Sequence, residues 1–238
     1  MRKQLGLALV LTTGLVPTLG CGLADQLDKL RTVSFRLPQR SYSVSTMDPR
    51  WKHPPAGGIP QVPCGPGGVT PDCCSFPMGG MSVDCARSPM VCDAGSCALK
   101  FRYEQDSRVD LGGEVPALKS VGSSILSEVK LKEIELEIAN SLNVALPPVD
   151  LFVAPENVTS PAMGGAHKIA TIEGLTPGFR GQQKIQLTPE AQRAFSSFAT
   201  DFKTPFNLLM ATEMLYKGGP TPMGQVDLQM SGTVEAKF

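Results

Sequence analysis

Six of the seven cysteines in this 238-residue chain fall between Cys64 and Cys97, at Cys64, Cys73, Cys74, Cys85, Cys92 and Cys97. Thiols grouped in this way can bind a soft metal ion or pair oxidatively. Met78, Met81 and Met90 lie among them, and sulfur ligands suit Cu(I) or zinc. The same stretch, however, has no histidine and no C-x-x-C, the spacing typical of thiolate metal sites. Disulfide pairing of the six is therefore the expectation, with no metal. Connectivity stays open; only a Cys73–Cys74 bridge is set aside, because adjacent cysteines close a strained eight-membered ring. The rest of the chain offers little reactive chemistry. His53 and His167 are its two imidazoles, and His167 reads as a solvated side chain after the loop Met163-Gly164-Gly165-Ala166. No glycine-rich phosphate loop, H-E-x-x-H or G-x-S-x-G is present, and the carboxylates are scattered. No catalytic residue and no cofactor is expected. Asn157-Val158-Thr159 matches a glycosylation acceptor, a chance match if the host is bacterial.

What the cysteines mean depends on the compartment, and the N-terminus bears on that. Arg2 and Lys3 precede an uncharged apolar block from Leu5 to Val16; Pro17 breaks it, and Gly20-Cys21-Gly22-Leu23-Ala24 supplies small residues for cleavage. This is the three-part layout of a secretory signal, and the block is too short to span a bilayer. With glycine directly before cysteine at Gly20-Cys21, the start of the chain resembles bacterial membrane lipoproteins. The resemblance implies that residues 1–20 are removed and that Cys21 carries the lipid. Cleavage after Ala24 is the alternative, giving a periplasmic or secreted protein without an anchor. Either ending takes Cys21 out of the thiol pool and leaves an even six, as disulfides in an exported protein require.

Charge is balanced at 22 basic and 22 acidic residues with no run of one sign, so nothing points to a nucleic-acid partner. Residues 21–32 read as a tether and 33–238 as a single domain. Within it, the 44 residues from Pro54 to Cys97 hold eight prolines and eight glycines. A segment that rich in both buries little apolar surface and relies on its staples. It is expected to be an insertion between two strands of one sheet.

The elements that position these residues are mostly strands. Val33 to Val44 reads as extended, with Pro38 suiting an edge strand or a bulge. Leu99, Phe101 and Tyr103 share a face, and Val109 and Leu111 follow after a polar turn. Val129 and Leu131 alternate, then the phase slips by one before Ile134, Leu136 and Ile138, the mark of a β-bulge. Val149–Val153, Ile169–Ile172 and Ile185–Leu187 are shorter candidates. Phe206 to Tyr216 and Val226 to Phe238 are apolar on even positions, and the Gly/Pro loop between them predicts a hairpin. One amphipathic helix is expected: Thr188 caps it, Pro189 and Glu190 open it, and Ala191, Ala194, Phe195, Phe198 and Phe202 form its stripe. These elements predict a mainly β protein, an antiparallel β-sandwich with one helix and a disulfide-stapled Cys-rich insertion.

The functional expectation is an exported, lipid-anchored cell-envelope protein that acts as a binding or structural module. Its membrane contact is the N-terminal lipid, and its partner is another envelope protein or a polysaccharide. An envelope hydrolase using surface carboxylates is the enzymatic alternative. An outer-membrane barrel is a third, since alternating apolar residues run up to Phe238. Uneven strands and few interfacial aromatics speak against it.

Overall fold

The computed structural model describes residues 32–47, 63–65, 73, 90–119, 126–219 and 222–237. The signal, Cys21, the tether through Arg31, His53, Cys74 and Cys85 lie outside the described residues. Among the described residues there are nine strands: β1 (Thr32–Ser45), β2 (Met90–Asp93), β3 (Ser96–Val109), β4 (Glu128–Asn140), β5 (Val149–Pro155), β6 (His167–Ile172), β7 (Arg180–Ile185), β8 (Phe206–Tyr216) and β9 (Gln225–Lys237). Two single-turn helices, α1 (Leu111–Glu114) and α2 (Pro116–Lys119), follow β3, and α3 (Pro189–Ala199) lies between β7 and β8.

The strands form a four-stranded sheet in the order β1-β9-β4-β7 and a five-stranded sheet in the order β2-β3-β8-β5-β6. The expected sandwich is present. Its main core holds Leu37, Tyr42 and Val44 of β1, Leu131, Ile134 and Leu136 of β4, Phe206, Leu208 and Met210 of β8, and Val226, Leu228 and Val234 of β9. With β2 set aside, the other eight strands run first-eighth-third-sixth in one sheet and second-seventh-fourth-fifth in the other. That winding is the double Greek key of a jelly roll.

Period-two alternation explains most of the elements. Every even residue of β9 from Val226 to Ala236 is buried, as is every even residue of β8 from Phe206 to Tyr216. The phase slip in β4 is a register shift against β9 between Leu131 and Glu133, so Lys132 is the extra residue of a bulge. At that bulge the Gln192 side-chain amide of α3 donates to the Leu131 carbonyl, tying the helix to the sheet. Pro38 sits in β1, an edge strand, where proline is tolerated.

Several expectations are corrected by the three-dimensional arrangement. β8 and β9 are not a hairpin. β8 pairs with β3 and β5, β9 pairs with β4, and the connection between them crosses from one sheet to the other. Their apolar faces meet across the core instead of lying side by side. For the same reason the Cys-rich segment does not leave and rejoin one sheet, because β1 and β3 belong to different sheets. The polar residues 104–108 are not a turn but the C-terminal part of β3, paired with β8 from Glu104↔Ala211 to Arg108↔Asn207. Tyr103 and Val109 both stay inward because the odd phase is never lost. The third short strand runs Arg180–Ile185, earlier than its apolar end suggested, and pairs with β4 alone at the sheet edge.

The helix begins as expected: the Thr188 hydroxyl accepts from Ala191 N at 3.2 Å, Pro189 opens the first turn, and Ala191, Phe195 and Ala199 are buried. It ends at Ala199, so Phe202 lies beyond it, buried in the following turn with its carbonyl accepting from Gly112 N at 2.9 Å. His167 is the first residue of β6 and is exposed, as its polar setting implied.

Candidate functional site

Two places bring chemistry-bearing residues together. The first is the sulfur cluster at one end of the five-stranded sheet. Cys64 is bonded to Cys92 and Cys73 to Cys97, with Cα–Cα separations of 5.8 and 5.5 Å. Cys92 in β2 and Cys97 in β3 are cross-strand neighbours, so the two bridges attach to adjacent strands. Cys97 is 1% exposed and packs with Leu99, Phe101, Met214 and Tyr216, whereas Cys92 faces solvent. The sulfurs of Cys64, Cys73 and Cys97 lie within 4.8 Å of one another. In the oxidised form each has a covalent sulfur partner and no thiolate remains for a metal ion, so the cluster is a staple. The Cys64 amide also donates to Gly95 O at 3.0 Å, and Lys217 of the segment after β8 meets Asp93 of β2 at 2.6 Å.

The second place is a cleft with about 520 Å³ of room, beside the C-terminal half of α3. Phe198 and Phe206, with Pro155 and Pro205, give it an apolar lining; Glu156, Asn157, Ser197, Asp201 and Thr204 supply its polar groups. Concavity, an apolar lining and a few fixed polar groups are the ordinary features of a small-ligand site. Each part has a local cause. Pro155 ends β5, and the Asn207 amide holds the following turn by donating to Glu156 O at 2.8 Å and Val158 O at 3.0 Å. Phe198 comes from the apolar stripe of α3, and its ring lies 6.3 Å from that of Phe206. Phe206 is itself fixed edge-on by Phe195 at 5.8 Å. Asp201 begins the turn after the helix, where its carboxylate accepts from the Thr204 hydroxyl at 2.7 Å and its carbonyl from Thr204 N at 3.0 Å.

Charge beside the cleft is partly paired. Arg108 of β3 is ion-paired with Glu156 and lies 3.6 Å from Asp110. The hydrogen bond to Glu156 raises the Arg108 pKa further, so the guanidinium is charged at any working pH. Glu156 is half exposed and already occupied by that guanidinium. His167 stands 6.0 Å from Phe198, ring to ring.

Sequence reasoning named the cysteines but missed the cleft. Its residues come from three separate stretches, 155–157, 197–201 and 204–206, and the acceptor pattern that starts at Asn157 is the motif they touch, one that does not point to a cleft. Phe198 was legible only as part of an apolar stripe. The outer face of the four-stranded sheet is polar, with Gln39, Gln229, Glu137, Gln182 and Lys184 around a smaller hollow of about 120 Å³, as expected for a solvated sheet face.

No family model and no curated protein matches the sequence. Among solved structures, several show a distant likeness. A decameric BFDV capsid protein is 9% identical at a TM-score of 0.31, with 87% of this chain and 100% of that one covered. A Desmodium yellow mottle tymovirus protein is 12% identical at 0.26, covering 59% and 86%. A structure described as carbohydrate-binding modules of the β-sandwich superfamily is 8% identical at 0.25, covering 84% and 54%. The chain's own sheets and bridges define the class: a two-sheet antiparallel β-sandwich of jelly-roll winding, stapled by disulfides.

Proposed function

We propose that the protein is an exported, lipid-anchored module of the cell envelope that binds a ligand in the cleft beside Phe198. The observation that carries the reading is the cleft itself, a preformed hollow with an aromatic lining and fixed polar groups on a rigid sandwich. Export is supported by the two disulfides, which persist in oxidising compartments, and by the signal-like N-terminus with Gly20-Cys21. Acylation of Cys21 would leave about ten residues of tether before β1.

Binding is favoured over hydrolysis by the state of the two carboxylates. Glu156 is half exposed and paired with Arg108, and Asp201 is exposed and engaged by Thr204, so neither carboxylate is held free to face a substrate as acid or base. The intact mass of the mature N-terminus tests the anchoring. A diacyl or triacyl Cys21 is expected, and a free Asp25 would show the unanchored ending. A fragment screen by ligand-observed NMR on the full chain tests the cleft. Hits lost in Phe198→Ala are expected, and an absence of hits there would refute a binding role for it.

A further inference from the structure

We infer that the ligand of this cleft is a neutral saccharide, one sugar ring lying against Phe198 with its hydroxyls donating to Asp201 and Glu156; this rests on the binding reading above. Three features of the cleft select that chemistry. Its lining is apolar, with an aromatic ring fixed by its neighbours, and this suits the C–H face of a pyranose better than a charged or fully hydrated group. Its polar groups are rich in acceptors. Glu156 and Asp201 are carboxylates, while the Thr204 hydroxyl already spends its proton on Asp201. A ligand rich in donors is therefore favoured, and vicinal hydroxyls provide donors without charge. Finally, the cation beside the cleft is already engaged: Arg108 pairs with Glu156 and lies 3.6 Å from Asp110, so an anionic ligand finds no free cation among the described lining residues.

The main competitor is a peptide. Extended peptides bind by adding to a free strand edge, but β5, which leads into the cleft, is flanked by β6 and β8. Peptide binding in the polyproline conformation also uses Trp or Tyr donors for its carbonyls, and the described residues that line the cleft include neither. A small amine with an apolar body is the remaining alternative, because carboxylates accept from ammonium groups as well as from hydroxyls.

The test uses the full chain in a detergent that carries no sugar headgroup. The probes are maltotetraose, cellotetraose and chitotetraose, with phenethylamine as the cationic probe. Binding is read by saturation-transfer NMR and titration calorimetry. At least one oligosaccharide is expected to bind, with an affinity that changes little between low and high salt. Affinity should fall about ten-fold or more in Phe198→Ala and in Asp201→Asn, and stay unchanged in Gln182→Ala on the opposite sheet. Asp201→Asn, an exposed isosteric change, keeps the test open should Phe198→Ala fold poorly. Sugar binding that ignores both cleft substitutions would overturn the assignment. Salt-sensitive binding of phenethylamine without any sugar would overturn the saccharide class and leave the binding reading standing. No response from any of the four probes would overturn the saccharide assignment, and the fragment screen then decides the binding reading.

Discussion

Reduction of the disulfides separates two ways the Cys-rich segment could be joined to the fold. The bridges Cys64–Cys92 and Cys73–Cys97 close loops of 28 and 24 residues. The chain-entropy model assigns about 3.5 kcal/mol to each loop of that size. If the segment melts together with the core, losing both would remove about 7 kcal/mol. That is comparable to the whole stability of a typical domain, about 5–15 kcal/mol. The packing predicts a smaller effect. Among the described residues the main core contains no cysteine; the bridges sit in a separate cluster with Leu99, Phe101, Met214 and Tyr216. β2 pairs with β3 over four residues only, whereas β3 remains held by its eleven-residue ladder to β8. Reductant should therefore free the segment up to about Gly95 and move the main transition by only about 1 kcal/mol. For a domain of this size that is about 2–4 °C. Far-UV circular dichroism with thermal melts, with and without phosphine reductant, reads both quantities. Loss of the cooperative β transition on reduction, or a fall in Tm of about 15 °C or more, would show that the staples belong to the core. The reasoning from separate clusters would then be wrong.

Gly224→Ala should be among the most damaging single changes. Gly224 has φ +124°, and an added Cβ would lie 2.4 Å from Ser141 O. Gly224 N also bonds the Thr46 hydroxyl at 3.0 Å, and its carbonyl accepts from Thr46 N at 3.0 Å. A loss of about 3 kcal/mol or more in urea unfolding is expected, and a change under 1 kcal/mol would contradict the geometry. Gln192→Ala removes the side-chain bond to the bulge carbonyl of Leu131 and should cost about 1–2 kcal/mol, read by the same unfolding curves. If stability is unaffected, the helix is not tied to the bulge through this amide. Burial raises the Tyr42 pKa, with the Arg40 charge opposing, so the folded state prefers the neutral phenol. Its contribution is complete below the ordinary tyrosine pKa of about 10 and is lost as pH climbs above that toward the folded value. Tyr42→Phe should flatten the alkaline decline in Tm; an unchanged slope would place the effect elsewhere, for example at Tyr216, which burial also raises.

What could be read from the sequence was local. Alternation of period two marked the strands because side chains of neighbouring residues point to opposite faces whatever the strand pairs with. The same rule made the phase slip after Leu131 legible as a bulge, since one extra residue must invert the parity. Thr188-Pro189-Glu190 announced the helix start because a cap needs only its own backbone. The grouped thiols implied staples, since redox chemistry depends on compartment and number more than on shape.

Tertiary structure alone decided how strands were partnered and where they met. Main-chain ladders carry no side-chain signature, so nothing in Phe206–Tyr216 and Gln225–Lys237 says that they lie in opposite sheets. Partner choice among the cysteines was equally hidden. Cys92 meets Cys64, and Cys97 meets Cys73, because β2 folds back on β3 and brings two distant loop positions over one sheet end. The cleft is the clearest case. Pro155, Phe198 and Asp201 are ordinary residues in a strand end, a helix stripe and a turn, and become a site only when the sandwich and its helix close around them. A sequence pattern reports the face on which a residue lies, but concavity depends on distances between faces, and those are set when the core packs.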